Sequence, residues 1–417
     1  MRIFIINNYA IPPAYGGLNR HYYFAREWAK AGHQVKILTA SKIHNTDFNL
    51  REPGRLVSER EIDGVDYSFV RTTSYQKNNW RRVVSMLQFA WNSFRVVKRL
   101  GRQGQKPDLI YLSSPSPFSC LTNLYYAKRH KIPCVLELRD LWPLSIVDFS
   151  HLTDKNILIK ILYRLEKWLY RRADRLIFTM AGGADYIRRK GWEDKVDLEK
   201  VYQINNGVDL AEFQSELQDY PARDPDLMDP DKFKLVFTGS IRYIYQLNLL
   251  VEAARLTAET LPDLIYLIYG DGPERDHLQA MVDRYKLSNI KFKGRVEKKY
   301  VPGVLDRADL TLLHSRQVTL NQYGVSPNKL FEYAAAQKPI FSTIKTAYSL
   351  IDKYSCGIEL EDQSAAKIAW GLTYFYNLDK DQLKSMGARA YQLAQDHDYH
   401  QLAEKLLAIF QDLLEEY

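Results

Sequence analysis

The chain is poor in cysteine. Cys120, Cys134 and Cys356 are the only three in 417 residues, and they are scattered. That count argues against a disulfide framework or a zinc site and fits a reducing cytosol. Long apolar runs are also missing, so no membrane-spanning helix is expected. The uncharged stretch from Leu109 to Ala127 comes nearest, but Ser113, Ser114, Pro115, Ser116 and Pro117 interrupt it. It reads as strand, loop, helix. The opening residues MRIFIINNY lack the long apolar core and cleavage site of a signal peptide and are read as a first strand. No G-x-G-x-x-G motif follows, which argues against a dinucleotide oxidoreductase. Acid is missing over one long stretch. From Tyr67 to Pro107 there is no Asp or Glu, while Arg71, Lys77, Arg81, Arg82, Arg95, Lys98, Arg99, Arg102 and Lys106 all fall inside it.

What is present is globular. Hydrophobic residues make up 46% and charged residues 26%, which excludes a disordered chain. About 150 residues per domain gives two to three domains. The formal net charge of +8 suggests an anionic partner: nucleic acid, anionic lipid or a phosphorylated substrate. Apolar runs such as RIFIINN, QVKILTA, DLIYLSS, PCVLELRD and RLIFTM alternate with helical periodicity. A second series holds KLVFTGS, LIYLIYGDG, IKFKGRV, ADLTLLHS and PIFSTI. Two such series predict an α/β protein of two doubly wound domains. Residues 1–210 form the first and 233–394 the second. The Asp- and Pro-rich stretch 211–232 is read as a linker, and 395–417 as an amphipathic helix.

Several local patterns suit anion binding or catalysis. The turn at Gly16 and Gly17 stands between a strand and a helix, where backbone N–H groups meet an anion, or where a tight turn simply needs glycine. In Ser326-Pro327-Asn328-Lys329-Leu330-Phe331-Glu332, Ser326 is a good N-cap and Pro327 a good first helical residue. Lys329 and Glu332 then share a helix face, either as a diphosphate and diol site or as an exposed ion pair. Arg139 and Asp140 follow the apolar run Cys134-Val135-Leu136 and are expected at the crevice end of a strand. Asn205-Asn206-Gly207 and Gly270-Asp271-Gly272 are turn signals. Within the acid-free stretch, Trp80, Val84, Leu87, Trp91 and Phe94 recur at helical spacing among basic flanks. This predicts either an interfacial membrane helix, with Trp80, Arg81, Arg82, Trp91, Arg95, Lys98 and Arg99 at the surface, or a core helix with solvated ends. No nucleic-acid motif is visible.

In this order the pieces resemble the retaining glycosyltransferases of family 4, from the Gly16-Gly17 turn through INNGVD, LVFTGS, YGDGPER and FKGRV to SPNKLFEYAAAQKPI. The RDLWP and PNKLFEY segments are similar to the branch that builds bacterial surface polysaccharides. The resemblance implies the GT-B fold, two Rossmann-like domains facing across a cleft, with the last helix crossing back to the first. It implies transfer of a sugar, with retention and without metal or cofactor, from a nucleoside-diphosphate sugar (a UDP-sugar is expected) to a lipid-linked glycan. Glu332 matches the second Glu of the family's E-x7-E signature and would bind ribose. Gly239 and Ser240 match the loop facing the diphosphate, and Gly16 and Gly17 the turn near the transferred group. Gly272, Arg295, Gly324, Val325 and Asn328 complete the expected donor side.

The chain departs from the family in three places. Gly324 stands where the first Glu of the signature would be. The Arg and Lys that commonly hold the diphosphate fall at Ser240 and Tyr245, so Lys329 and Arg242 are expected to stabilise the leaving group instead. The motif around RDLWP has no His, which leaves Asp140 as the acceptor-side candidate. The expected protein is cytoplasmic and peripheral on the inner face of the cell membrane. A nucleotide-sugar 2-epimerase and a non-catalytic GT-B-like partner subunit are the alternatives.

Overall fold

Short runs of Ile, Leu, Val and Tyr between turn residues set the architecture. The computed structural model describes residues 1–16, 19–43, 46, 48–75 and 80–417. The chain divides into two units, Met1–Asn205 with Tyr399–Tyr417, and Asn206–Asp398.

Among the described residues, the first unit is built on strands β1 (Arg2–Ile6), β2 (Gln34–Ala40), β3 (Val57–Ile62), β4 (Val65–Val70), β5 (Leu109–Ser113), β6 (Cys134–Leu138), β7 (Arg175–Phe178) and β8 (Val201–Gln203). Their order in the sheet is β3-β4-β2-β1-β5-β6-β7-β8. Only the β3–β4 pair is antiparallel, a hairpin turned by Asp63 and Gly64 with φ of 50° and 77°. The Asp-Gly turn explains it. Every residue of β5 and β6 is buried, so these strands show no polar alternation, as expected of a parallel sheet covered on both faces. The helices are α1 (Arg20–Lys30), α2 (Trp80–Arg102), α3 (Pro117–Arg129), α4 (Leu144–Phe149), α5 (Ile157–Arg172) and α6 (Gly183–Arg189). The terminal helix, Tyr399–Glu415, packs on α1. Trp28 donates its indole N–H to the Ala403 carbonyl at 2.9 Å, and Phe410 meets the Trp28 ring edge-on.

The second unit has β9 (Phe233–Thr238), β10 (Leu264–Tyr269), β11 (Ile290–Gly294), β12 (Leu310–Leu313), β13 (Ile340–Ser342) and β14 (Gly357–Glu359). They lie all parallel in the order β11-β10-β9-β12-β13-β14. Its helices are α7 (Leu210–Asp219), α8 (Pro225–Met228), α9 (Asn248–Thr257), α10 (Arg275–Tyr285), α11 (Val301–Asp306), α12 (Asn328–Ala335), α13 (Leu350–Tyr354), α14 (Ala365–Tyr376) and α15 (Lys380–Asp396).

The stretch 211–232 is not a linker here. Asp224 within it caps α8, accepting from Asp226 N, and Asp209 just before it caps α7, accepting from Glu212 N. Phe213 and Leu227 are buried in the core of this unit. Each sheet has one point where the strand order reverses, between β1 and β5 and between β9 and β12. Ligands of open parallel sheets gather outside the strand ends at such points.

Candidate active site

In the second unit the reversal point carries the loop after β9. Gly239 has φ of 152°, and a Cβ built there would lie 2.6 Å from the Lys329 ammonium. The backbone angle favours glycine there, and the missing side chain leaves room for the Lys329 ammonium to approach. Lys329 comes from the first turn of α12. Its ammonium is buried, has no hydrogen-bond partner, and lies over the Phe237 and Tyr245 rings at 4.2 and 5.1 Å from their centroids. Burial pushes it down to about 8, against the opposing pull of Glu332. Beside it, the Asn328 Oδ1 is likewise buried without a partner. Tyr333 fixes the end of β9 from the same helix, accepting from the Thr238 N–H at 3.1 Å. An unpaired cation at a helix N-terminus, against a glycine backbone, is a site built for an anion.

The expected i,i+3 pair between Lys329 and Glu332 is not formed. Glu332 is bonded by Lys298 instead, so Lys329 is left without a carboxylate. Nor does Ser326 cap α12. Its hydroxyl accepts the Asn206 backbone N–H at 2.8 Å, and the helix begins at Asn328 with no side-chain cap. Gly324 is buried at φ of 84°, and Val325 is half-buried. Ser240 and Arg295 are exposed. Gly272 has a packing role, since a Cβ there would lie 2.1 Å from the Ile241 carbonyl oxygen. Arg242 is exposed and lines an open groove of about 630 Å³ with Glu252, Glu274, His277 and Arg284, and Lys329 is not part of that lining. The two cations expected to act together thus face different surroundings.

In the first unit, Gly16 is exposed at φ of 69° and ends a short 3-10 turn, whereas Gly17 lies outside the described residues. Asp140 is exposed just past β6. Crowding by the surrounding protein raises its carboxyl, and Arg139 opposes this. The dominant feature is one that sequence reading missed. Glu137, fully buried in β6, accepts from Arg20 Nε at 2.7 Å, His21 Nε2 at 2.8 Å, Tyr111 OH at 2.6 Å and Ser113 Oγ at 2.6 Å. Burial would raise this carboxyl, but Arg20 and His21 overcome it and hold it well below the usual range. Burial lowers His21, which fits a neutral ring donating from Nε2 and accepting from Asn7 Nδ2 at Nδ1, 3.4 Å away. Arg20 also donates to the Ile204 and Asn205 carbonyls. No local pattern marks Arg20 and His21 as partners of Glu137, because they lie more than 100 residues from it.

The tryptophan-bearing helix α2 is two-sided. Met86, Phe89, Ala90, Val96, Val97 and Leu100 face the core. Trp80 is 69% exposed, Leu87 48% and Trp91 60%. Arg81, Arg95, Lys98 and Arg99 are exposed as well. Arg82 is not part of that outer surface: it donates to the Tyr9 hydroxyl at 3.1 Å and lies over the Tyr9 ring. Among the described residues no helix is long and apolar enough to cross a membrane.

Comparison with known proteins bears on both units. The family described as Glycosyltransferase Family 4 matches residues 15–212, and Glycosyl transferases group 1 matches residues 221–393. A Bacillus subtilis protein described as a teichuronic acid biosynthesis glycosyltransferase, TuaH, is 27% identical over 222 residues, 52% of each chain. A 2-deoxystreptamine N-acetyl-D-glucosaminyltransferase of Niallia circulans is 31% identical over 113 residues, 27% of this chain and 28% of that one. The chain therefore spans about half or less of the curated relatives it matches. The crystal structure of Anabaena HepE in complex with UDP is similar with a TM-score of 0.68 at 14% identity, over 99% of this chain and 100% of that one. Two family matches that together run through both parallel-sheet units, with a whole-chain likeness of fold, lead to one assignment: the first unit carries a Glycosyltransferase Family 4 domain, the second a Glycosyl transferases group 1 domain, and the chain has the GT-B fold.

Proposed function

We propose that this protein is a retaining, metal-independent glycosyltransferase that moves a sugar from a nucleoside-diphosphate sugar, a UDP-sugar by preference, to a lipid-linked glycan in surface polysaccharide synthesis. The observation that carries the donor reading is the buried, unpartnered Lys329 ammonium against the Gly239 backbone. A diphosphate there would gain a desolvated cation and the N–H groups of the first turn of α12, which supply the positive charge otherwise taken from a metal ion. Glu332, one turn further on, would take the ribose hydroxyls. Gly16, Gly239, Ser240, Arg295, Gly324, Val325 and Asn328 would complete the donor side.

In the reaction, the bond from the anomeric carbon to the diphosphate oxygen breaks and a bond to an acceptor hydroxyl forms on the same face. Lys329 stabilises the diphosphate as it leaves, with Arg242, exposed on the loop that follows Gly239, as a second cation. Asp140 orients the acceptor hydroxyl or takes its proton. The teichuronic acid relative supports a polymer acceptor, the N-acetylglucosaminyltransferase relative a sugar of that type, and the UDP-bound structure a uridine donor. The exposed Trp80, Leu87 and Trp91 among cations on α2 support a location on the anionic inner face of the cell membrane.

The test is a panel of nucleotide sugars assayed for slow donor hydrolysis, with and without chelator, followed by NMR of the anomeric product. Turnover of one UDP-sugar that survives chelation and gives retained configuration is expected. Loss of turnover with chelator, restored by magnesium or manganese, would overturn metal independence. No turnover of any donor would favour a non-catalytic subunit.

A further inference from the structure

Helix α5 carries a second apolar stripe that the core does not use. Its buried face is Ile159, Leu162, Glu166, Leu169 and Tyr170. On the other side Ile157 is 68% exposed, Leu158 52% and Ile161 51%. Leu165 and Trp168 continue that stripe half-buried, and Lys160, Arg164, Arg171 and Arg172 flank it in the open. Three branched aliphatic side chains facing water within little more than one turn are costly for a surface that stays wet.

This stripe meets the outer face of α2 through α3. An apolar groove of about 360 Å³ lies where the three helices join, lined by Trp91, Phe94, Leu121, Thr122, Tyr125 and Trp168. The Thr122 hydroxyl is already spent on the Ala90 carbonyl at 2.9 Å. The three helices contain one acid between them, Glu166, and it is buried against the Tyr170 and Tyr186 hydroxyls. Their outer surfaces therefore join aliphatic and aromatic side chains to cations with no carboxylate.

We propose that α2, α3 and α5 form one composite bilayer-docking face, and that its groove takes a single hydrocarbon chain of an anionic lipid whose phosphate is held by the surrounding Lys and Arg. The proposal rests on the membrane location argued for α2 and extends it to a second helix and a defined lipid-chain site. Charge complementarity selects this occupant. A second copy of the chain would set cation against cation across a twofold contact. A free glycan would find no hydrogen-bonding group in the groove.

Co-sedimentation with phosphatidylglycerol-containing and pure phosphatidylcholine vesicles tests the face, and titration with dodecyl phosphate monomer tests the groove. The unaltered protein binds the anionic vesicles and dodecyl phosphate. The triple variant Ile157→Ser, Leu158→Ser, Ile161→Ser, altered only at exposed positions, loses about tenfold or more in vesicle affinity. Thr122→Phe fills the groove and loses dodecyl phosphate while keeping its vesicle binding to within about threefold. Vesicle binding by the unaltered protein that both variants retain, with dodecyl phosphate binding unchanged, would overturn the α5 and groove assignment and leave the α2 reading standing. Absence of vesicle binding by the unaltered protein would overturn both. A concentration-dependent dimer by light scattering that Trp91→Ser abolishes would assign the face to a second copy instead.

Discussion

The ammonium of Lys329 lies 4.2 Å from the centre of the Phe237 ring and has no hydrogen-bond acceptor. An aromatic face offsets part of the cost of burying a cation, but it cannot replace the hydrogen bonds that water gave it. The lowered value of about 8 expresses that deficit. Lysine is charged below this value and neutral above it, so a diphosphate that needs the charge should bind less well as pH rises through about 8. Calorimetric titration with UDP at several pH values checks this. Lys329→Met should weaken UDP roughly ten- to a hundredfold at neutral pH, as expected for a lost charged hydrogen bond, and should remove the alkaline fall.

Glu332 is held by Lys298, and its side chain is 18% exposed against 55% for Lys298. An exposed cation contributes little to such a pair, about 0–1 kcal/mol. Glu332→Ala should cost roughly ten- to a hundredfold in UDP affinity, whereas Lys298→Ala should change it less than about fivefold. Calorimetry on the two variants separates them. Equal losses would mean that the ion pair, and not the Glu332 carboxylate alone, makes the ribose site.

Removing Glu137 strands the Arg20 guanidinium in a site where Arg20 is 1% exposed. Breaking a buried pair from one side costs about 3–5 kcal/mol. Glu137→Ala should therefore lower the unfolding midpoint of the first unit sharply, as read by thermal or urea unfolding. The folded carboxyl is depressed, so its stabilisation is present above the unfolded Glu value and is lost as pH falls through the folded one. Acid unfolding of the unaltered protein should set in only well below the usual Glu range.

Glu166 has the opposite sign. Burial raises it to about 8, although the Tyr170 and Tyr186 hydroxyls bond to it. The unfolded carboxyl ionises near 4.5 and the folded one near 8, so the unfolded state binds fewer protons between them and stability falls as pH rises across that window. The slope from this one group is at most about 1.4 kcal/mol per pH unit. Glu166→Gln keeps an acceptor for a tyrosine hydroxyl and should flatten the thermal stability profile between pH 5 and 8.

The alternation of strands and helices was legible because parallel strands buried on both faces read as plain apolar runs. Leu109–Ser113 and Leu264–Tyr269 are buried at every position. The β3–β4 hairpin was missed although Asp63-Gly64 is a strong turn signal. The acids of 211–232 were read as a linker because caps and linkers share a composition. Local rules failed where a distant partner competed. Lys298 took Glu332 from the i,i+3 pair, and Asn206 took the Ser326 hydroxyl from the helix end. Glu137 looked like part of an apolar strand, and nothing near it announces Arg20 and His21. The outer stripe of α5 was present as Ile157, Ile161, Leu165 and Trp168 at helical spacing, but a helix with two apolar sides hides one behind the other.

Trp28 and Ala403 are 375 residues apart and share one hydrogen bond in the core of the first unit. The whole second unit is thus an insertion between two parts of a single core. A ribosome delivers residues 206–398 before Leu406, Phe410 and Leu413 exist to cover the α1 side of the first sheet. The unit made first is finished last, and Trp28, Tyr23 and Phe24 wait uncovered while the second unit folds. The chain's exposure to aggregation and to chaperones during synthesis is therefore set by the time taken to translate that insertion.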